Sequence, residues 1–336
     1  MDAEPLLPPL LELHARIRAA VVDAGAVRDT AQLSAVSAEE SGDTIYAIDR
    51  VSEDVLVDGM ALLARDAPIC VVAEGLPGGS LVLPRGAREE ACRWRVLVDP
   101  IDGTRGLMYQ KRSGWILTGV APNRGADTRL RDIVLALQTE IPLRKQHLSD
   151  QLWAMRGRGV QGRRFNRLSG AEEPLALSPS KAATIAHGFA TVVRFFPGGR
   201  DVLAAIDDEL ARELLGPAVP GKAACFEDQY ACTGGQLYEL MTGHDRFIAD
   251  LRPLLTPVLA SRGAPKPLCC HPYDLATALI AEELGVVLTS VTGDSVDAPL
   301  DVITDVSWVG YANPGLRAVV EPVLQRALRR HRLLAG

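Results

Sequence analysis

Hydrophobic positions along this chain switch between a spacing of three to four residues and short, nearly continuous apolar runs, the patterns of amphipathic helices and buried strands. From Leu10 to Ala26, the residues Leu10, Leu13, Ile17, Ala20, Val21 and Ala24 share one helical face, and Gly25 marks the expected end. A second amphipathic stretch, Asp49 to Arg65, carries Val51, Val55, Leu56, Met60 and Leu63. Asp49 at its start also suits a helix N-cap. Two β-rich runs follow, Ile69 to Ala73 and Trp94 to Val98, and each delivers an acid to its end, Glu74 and Asp99. Between them Gly75 to Arg93, rich in glycine, proline and charge, reads as a surface loop. Trp115 to Pro122, Ile133 to Gln138 and Gln151 to Met155 read as successive antiparallel strands.

Gly157-Arg158-Gly159-Val160-Gln161-Gly162 matches a dinucleotide-binding GxGxxG, but no helical pattern follows it. Arg163 to Asn166 reads as a hairpin return instead. Past a loop-like Glu172 to Ser180, strands and helices alternate: a strand from Thr184 to Phe189, a helix from Gly199 to Leu215, then Gln236 to Met241 and Arg246 to Ile248. Asp274 opens an expected helix from Leu275 to Leu284, stopped at Gly285 and followed by a strand from Val286 to Thr289. A closing helix, Gly315 to Arg332, ends in arginines that suit its dipole. The expected fold class is α+β, with an antiparallel-rich half over 1–175 and an α/β half over 176–336.

Composition narrows the function. A chain of 336 residues, 47% hydrophobic and 23% charged, can bury a sizeable core and is not of disordered type. The formal charge of -6 argues against a broadly basic nucleic-acid binder. The six cysteines form no CxxC pair, so they read as reduced, buried thiols, and Cys269-Cys270-His271 has no second ligand pair for zinc. Asp2 and Glu4, with Pro8, Pro9 and Glu12 breaking the Leu6 to Leu13 stretch, fit neither a secretory signal nor a membrane span. The expected location is the cytoplasm, with no membrane partner.

The chemistry sits in Asp99-Pro100-Ile101-Asp102-Gly103-Thr104, with Glu74 before it and Asp274 far downstream. Each segment places a carboxylate where a strand gives way to a turn or helix. Hard divalent cations take such oxygen ligands, and phosphoryl transfer uses such cations. Pro100 stiffens the turn and frees carbonyls, making the Ile101 oxygen a candidate ligand, while Gly103 lets a phosphate approach the backbone. Taken alone, DxxDGT also describes an Asx turn that caps a helix. Burying Glu74, Asp99, Asp102 and Asp274 together without a cation carries a heavy desolvation and repulsion cost, which favours the metal reading. Thr233-Gly234-Gly235 reads as close packing at a helix start rather than a phosphate loop. Gly243-His244-Asp245, Asp250 and Arg252 are candidates for the substrate pocket, His244 reading more simply as a turn residue.

Glu74, the DPIDGT segment at 99–104, and Tyr273-Asp274-Leu275-Ala276 leading into Glu282-Glu283-Leu284-Gly285 resemble the inositol monophosphatase family of lithium-sensitive, magnesium-dependent phosphatases. In chain order the resemblance runs over residues 10–325. It implies a layered αβαβα sandwich, two magnesium ions with a third allowed, and a homodimer. It also implies that Glu74, Asp99 and the Ile101 carbonyl hold one metal and that Asp99, Asp102 and Asp274 hold a second. Asp49, closing Thr44-Ile45-Tyr46-Ala47-Ile48-Asp49, would activate water with Thr104, and Gly103, Thr104 and Arg105 would meet the phosphate. Two departures stand out: Gly75 replaces the second acid usual after the first metal-ligating glutamate, and Tyr273 replaces the usual tryptophan. Arg105 to Arg112 looks closer to the bisphosphate nucleotidases, with Lys111 and Arg112 placed to meet a second phosphate. The expected activity is magnesium-dependent hydrolysis of a small phosphorylated alcohol. The alternatives are a 3'(2'),5'-bisphosphate nucleotidase, a sugar-phosphate phosphatase, or a catalytically weak binding or regulatory homologue, which Gly75 favours and the retained ligands oppose.

Overall fold

The computed structural model describes residues 2–27, 36–40 and 43–335. The chain opens with helix α1 (Leu7–Val27), whose Pro8 and Pro9 lie in the first turn, where a missing N–H costs no hydrogen bond. A short antiparallel pair, β1 (Val36–Glu40) and β2 (Asp43–Tyr46), leads into α2 (Ala47–Leu63). Then come β3 (Ile69–Ala73), β4 (Ser80–Leu83), β5 (Trp94–Asp102), α3 (Thr104–Met108), β6 (Gly114–Pro122), β7 (Leu135–Ile141), β8 (Leu148–Met155), β9 (Val160–Asn166) and β10 (Glu172–Pro174). Their strands form an eight-stranded sheet in the order β10-β9-β8-β7-β6-β5-β3-β4, antiparallel except for β3 beside β5.

Alternation along these strands decides the layering, because successive side chains point to opposite faces. On one face Val96, Val98, Ile116, Val120, Leu135 and Leu137 pack with Leu10, Leu13 and Ile17 of α1 and Leu56 and Met60 of α2. On the other, Leu97, Trp115, Leu117, Ala136 and Leu152 belong to the larger core of the second half. That half contains β11 (Phe189–Val192), α4 (Arg200–Leu215), α5 (Thr233–Thr242), β12 (Asp245–Asp250), α6 (Thr256–Ser261), α7 (Ala278–Glu283), β13 (Val287–Thr289), β14 (Trp308–Tyr311) and α8 (Pro314–Arg330). Helices α5 and α7 lie between the two sheets, and α4 and α8 cover the far side of the four-stranded sheet β11-β12-β14-β13. The result is the αβαβα sandwich. No described helix is long and apolar enough to cross a membrane.

Several expected boundaries move. The Gly75 to Arg93 loop contains β4, a four-residue edge strand paired with β3, which the surrounding glycines and prolines conceal in the sequence. The strand expected over 184–189 begins only at Phe189, because the Arg246 side chain donates to the carbonyls of Thr184 and Ala186 and His187 takes a positive φ of 58°. Residues 236–241 are helical, within α5. The helix expected from Leu275 is broken: Asp274 lies in a 3-10 turn (Pro272–Leu275), Thr277 leaves helical geometry and donates to Gln138 Oε1 at 2.9 Å, and α7 starts afterwards. The GxGxxG segment is the β8–β9 hairpin turn and the start of β9. The second sheet is mixed, with β11 and β12 its one parallel pair.

Candidate metal centre

The end of β5 is bent by its own sequence. Pro100 has no N–H for the ladder, and the pairing of β5 with β6 shifts register between Asp99 and Asp102. The freed Ile101 N–H turns back to Asp99 Oδ1 at 3.0 Å. Gly103 follows at φ 86°, a left-handed conformation that glycine adopts without strain, and α3 starts at Thr104. Thr104 Oγ1 lies 3.0 Å from Asp49 Oδ1 on α2 and 2.9 Å from the Ile101 carbonyl oxygen. The side chain of Thr44, upstream of Asp49, lies outside the described residues.

Two further segments close on this bend. At the start of α5 the Gly234 N–H donates to Asp102 Oδ2 at 2.5 Å. A Cβ at that position would lie 2.6 Å from Leu117 Cδ2 and 3.1 Å from Asp102 Oδ2, so the approach requires glycine. In the 3-10 turn the His271 N–H donates to Asp274 Oδ2 at 2.6 Å. The outcome is that oxygens of Asp99, Asp102 and Asp274 lie within 4.8 Å of one another, with Asp99 only 2% exposed and Asp102 6%. Among the described residues no other grouping of acids, histidines and cysteines is so arranged.

The electrostatics of the cluster show what it lacks. Burial, then Asp102, Glu74 and Asp274, push the Asp99 carboxyl well above its ordinary range, and burial with Asp102 does the same to Asp274. Burial raises Asp102 to about 6, held back chiefly by the Gly234 N–H. One backbone N–H serves each of Asp99 and Asp274, while Asp102 takes the Gly234 and Thr233 N–H groups and the Cys232 thiol. Among the described residues no lysine or arginine forms an ion pair with any of the three; Arg252 acts on Asp102 and Asp274 only at longer range and is itself clamped by Asp250, and the His271 ring stands 4.0 Å from Asp274. Positive charge is therefore in deficit at a point rich in hard oxygen donors. That donor set fits magnesium better than a soft metal, with Asp99, Asp102 and Asp274 as candidate ligands and Glu74 and the Ile101 carbonyl beside them on the same cleft. Gly75 supplies no second acid after Glu74. The Glu53 carboxylate of α2 takes up that space, its Oε1 lying 2.3 Å from where a Gly75 Cβ would be.

The cleft over the acids is open to solvent. Gly103, Thr104 and Arg105 line it, as does Arg252. Lys111 and Arg112 do not: both are exposed, and Arg112 pairs with Asp228 and stacks 5.1 Å from the Tyr230 ring. Asp250 is 0% exposed and away from the lining, its carboxylate clamped by Arg252 through Nε (2.9 Å) and Nη2 (2.5 Å). Gly243 to Asp245 also lie off the cleft, and His244 Nδ1 sits 2.5 Å from Glu239 Oε2 in an exposed turn. Sequence reasoning missed Phe195, Phe196, Cys232 and Leu268 as cleft walls. The adjacent phenylalanines before Pro197-Gly198-Gly199 were the available signal, a bulky apolar pair where a strand ends in a turn. Burial holds the Cys232 thiol well above its ordinary range and raises Cys269 to about 12, so both stay neutral.

The fold is the layered sandwich seen in solved inositol monophosphatases and fructose-1,6-bisphosphatases. No protein-family model and no curated protein matches the chain. Among solved structures, the fructose-1,6-bisphosphatase of Leishmania major superposes with a TM-score of 0.68 at 13% identity, covering 97% of this chain and 93% of that one. A hypothetical protein of Pyrococcus horikoshii with similarities for inositol-1 monophosphatase gives 0.63 at 12% identity, covering 97% and 99%. The Thermotoga maritima IMPase gives 0.60 at 14% identity, covering 97% and 99%. At such identities the likeness is one of fold.

Proposed function

We propose that the protein is a magnesium-dependent phosphomonoester hydrolase of the inositol monophosphatase type, acting on a small phosphorylated alcohol. The observation that carries this reading is the buried, charge-deficient cluster of Asp99, Asp102 and Asp274 at the floor of an open cleft. A divalent cation, when bound there, supplies positive charge toward phosphoryl oxygens and Lewis acidity toward water. The chain's own residues supply the rest. Asp99, Asp102 and Asp274, with Glu74 and the Ile101 carbonyl, are the donors held ready. Thr104 Oγ1 donates its proton toward Asp49, leaving oxygen lone pairs to orient a water whose proton Asp49 takes up. The turn at Gly103 and Thr104 lets the phosphate come close to backbone. No covalent nucleophile is needed. A sugar-phosphate phosphatase is compatible with the same fold.

Phosphate release tests the reading, measured with magnesium and with a chelator on inositol monophosphates, histidinol phosphate, fructose 1,6-bisphosphate and adenosine 3',5'-bisphosphate. Release that the chelator stops is expected. Folded protein that releases phosphate from none of them, or releases it equally in chelator, contradicts the proposal.

A further inference from the structure

An uncharged polyol presents hydroxyls that each want an acceptor as well as a donor, and a site built for one supplies both. Besides the acids, the lining of this cleft includes Phe195, Phe196, Leu268, Arg105 and Arg252. The acid that stands next to this wall is withdrawn from it. Asp250 is fully buried and takes the Arg252 N–H at 3.2 Å as well as the Nε and Nη2 donors, while Arg252 Nη1 donates to the Leu268 carbonyl at 2.7 Å. Apart from the acids and the hydroxyls of Thr104, Thr233 and Tyr273, the polar and aromatic side chains that line the cleft are the two arginines and the two phenylalanines.

The aromatic pair holds the cations in place. Phe195 and Phe196 meet edge to face, with centroids 4.8 Å apart at 82°. The Arg252 guanidinium carbon lies 4.6 Å from the Phe195 centroid and 5.4 Å from that of Phe196, and the Arg105 carbon lies 5.2 Å from Phe196. Phe196 thus joins two arginines. Arg252 is 3% exposed and neutralised by Asp250, whereas Arg105 stands half-buried on the cleft wall. A guanidinium carries five N–H donors, so a partner within the protein still leaves donors for a ligand. Stacking on the ring orients the group and lowers the entropy lost when it binds.

We propose that the preferred substrate carries a second anionic group, a phosphate or a carboxylate, which docks on Arg105 with Phe196 as its platform. This rests on the phosphatase reading and specifies its substrate class. It also moves the second-anion contact away from Lys111 and Arg112, which lie off the cleft.

The test compares kcat/KM for adenosine 3',5'-bisphosphate, fructose 1,6-bisphosphate and 2-phosphoglycerate with that for inositol 1-phosphate, in the wild type, Arg105→Gln, Arg105→Lys and Phe196→Ala. Substrates with the second anionic group should lead, and Arg105→Gln should cut their lead by roughly tenfold or more, mainly through KM. Arg105→Lys should recover part of it and Phe196→Ala should lose part. The order of phosphoglycerate against the bisphosphates tells which anion is meant. A lead for inositol 1-phosphate, or an equal loss on every substrate in Arg105→Gln, overturns the inference. Silence on every ester overturns the phosphatase reading instead. Calorimetric binding of adenosine 3',5'-bisphosphate in magnesium then still reads the wall, where equal affinity in wild type and Arg105→Gln counts against it.

Discussion

Asp99 pays in folding stability for its place in the site, since it is buried beside Asp102, Glu74 and Asp274 with one backbone donor. Asp99→Asn should therefore stabilise the metal-free protein, because it relieves the repulsion from the neighbouring carboxylates and the cost of burying a charge. In thermal melts the variant should unfold a few degrees higher in chelator and gain nothing from magnesium, whereas the wild type gains. Thr104 offers a second test, through its hydroxyl 3.0 Å from Asp49. Thr104→Val should lower kcat by roughly 10²-fold or more and Thr104→Ser should restore most of it, with circular dichroism unchanged. His14 lies far from this chemistry, 1% exposed, with its ring nitrogens on Thr139 and Thr118, and burial depresses its pKa from 6.5 to about 3. Between those values the unfolded chain binds a proton that the folded one refuses. The neutral ring's stabilisation is complete above the upper value and is lost on acidification, at roughly 1.4 kcal/mol per pH unit inside the window. Urea midpoints should show the gap between wild type and His14→Gln narrowing from pH 7 to pH 4.5; parallel profiles would count against this account. Glu74 and Asp99 were legible in the sequence because each ends a short apolar run, Asp102 because it falls in the Asp-Pro-Ile-Asp-Gly-Thr turn, and Asp274 because it opens a helical pattern. Phe195 and the Asp250–Arg252 clamp were not, because nothing local says which strand end faces which cleft.

Elements position these residues by what they cannot do. β5 cannot keep its register through Pro100, where the pairing with β6 shifts before it resumes at Asp102, and α5 cannot approach Asp102 with any side chain at Gly234. Gly234→Ala would press a methyl group on Leu117 and Asp102 Oδ2 and shift the N–H that now lies 2.5 Å from that carboxylate. A loss of about 1–3 kcal/mol in urea unfolding is expected, as for overpacked cores, with weakened magnesium protection in melts. Unchanged stability would mean that α5 has room the structure does not show. Helices α1 and α2 and the strands of the first sheet were readable because each has one buried face and a clear period. The 184–188 segment misled because its apolar character matches a strand, while an arginine sixty residues away takes its carbonyls. The broken helix after Asp274 misled likewise, since Thr277 answers to Gln138 on another layer.

At the scale of the whole molecule, the αβαβα stack explains why segments so distant in sequence meet. The end of β5, the start of α5 and the 3-10 turn around Asp274 converge where the first sheet meets the central helix layer. A layered order of this kind is implied by the family resemblance, but which faces meet is a long-range outcome. In the reaction proposed above, turnover depends on a cation held by the Asp99, Asp102 and Asp274 cluster. Titration of the metal-free protein with manganese, followed by electron paramagnetic resonance and calorimetry, tests it most directly without assuming a substrate. Wild-type protein should bind manganese, with magnesium competing, and Asp99→Asn should lose that binding while remaining folded. Equal binding in the two proteins would mean that the cation sits elsewhere.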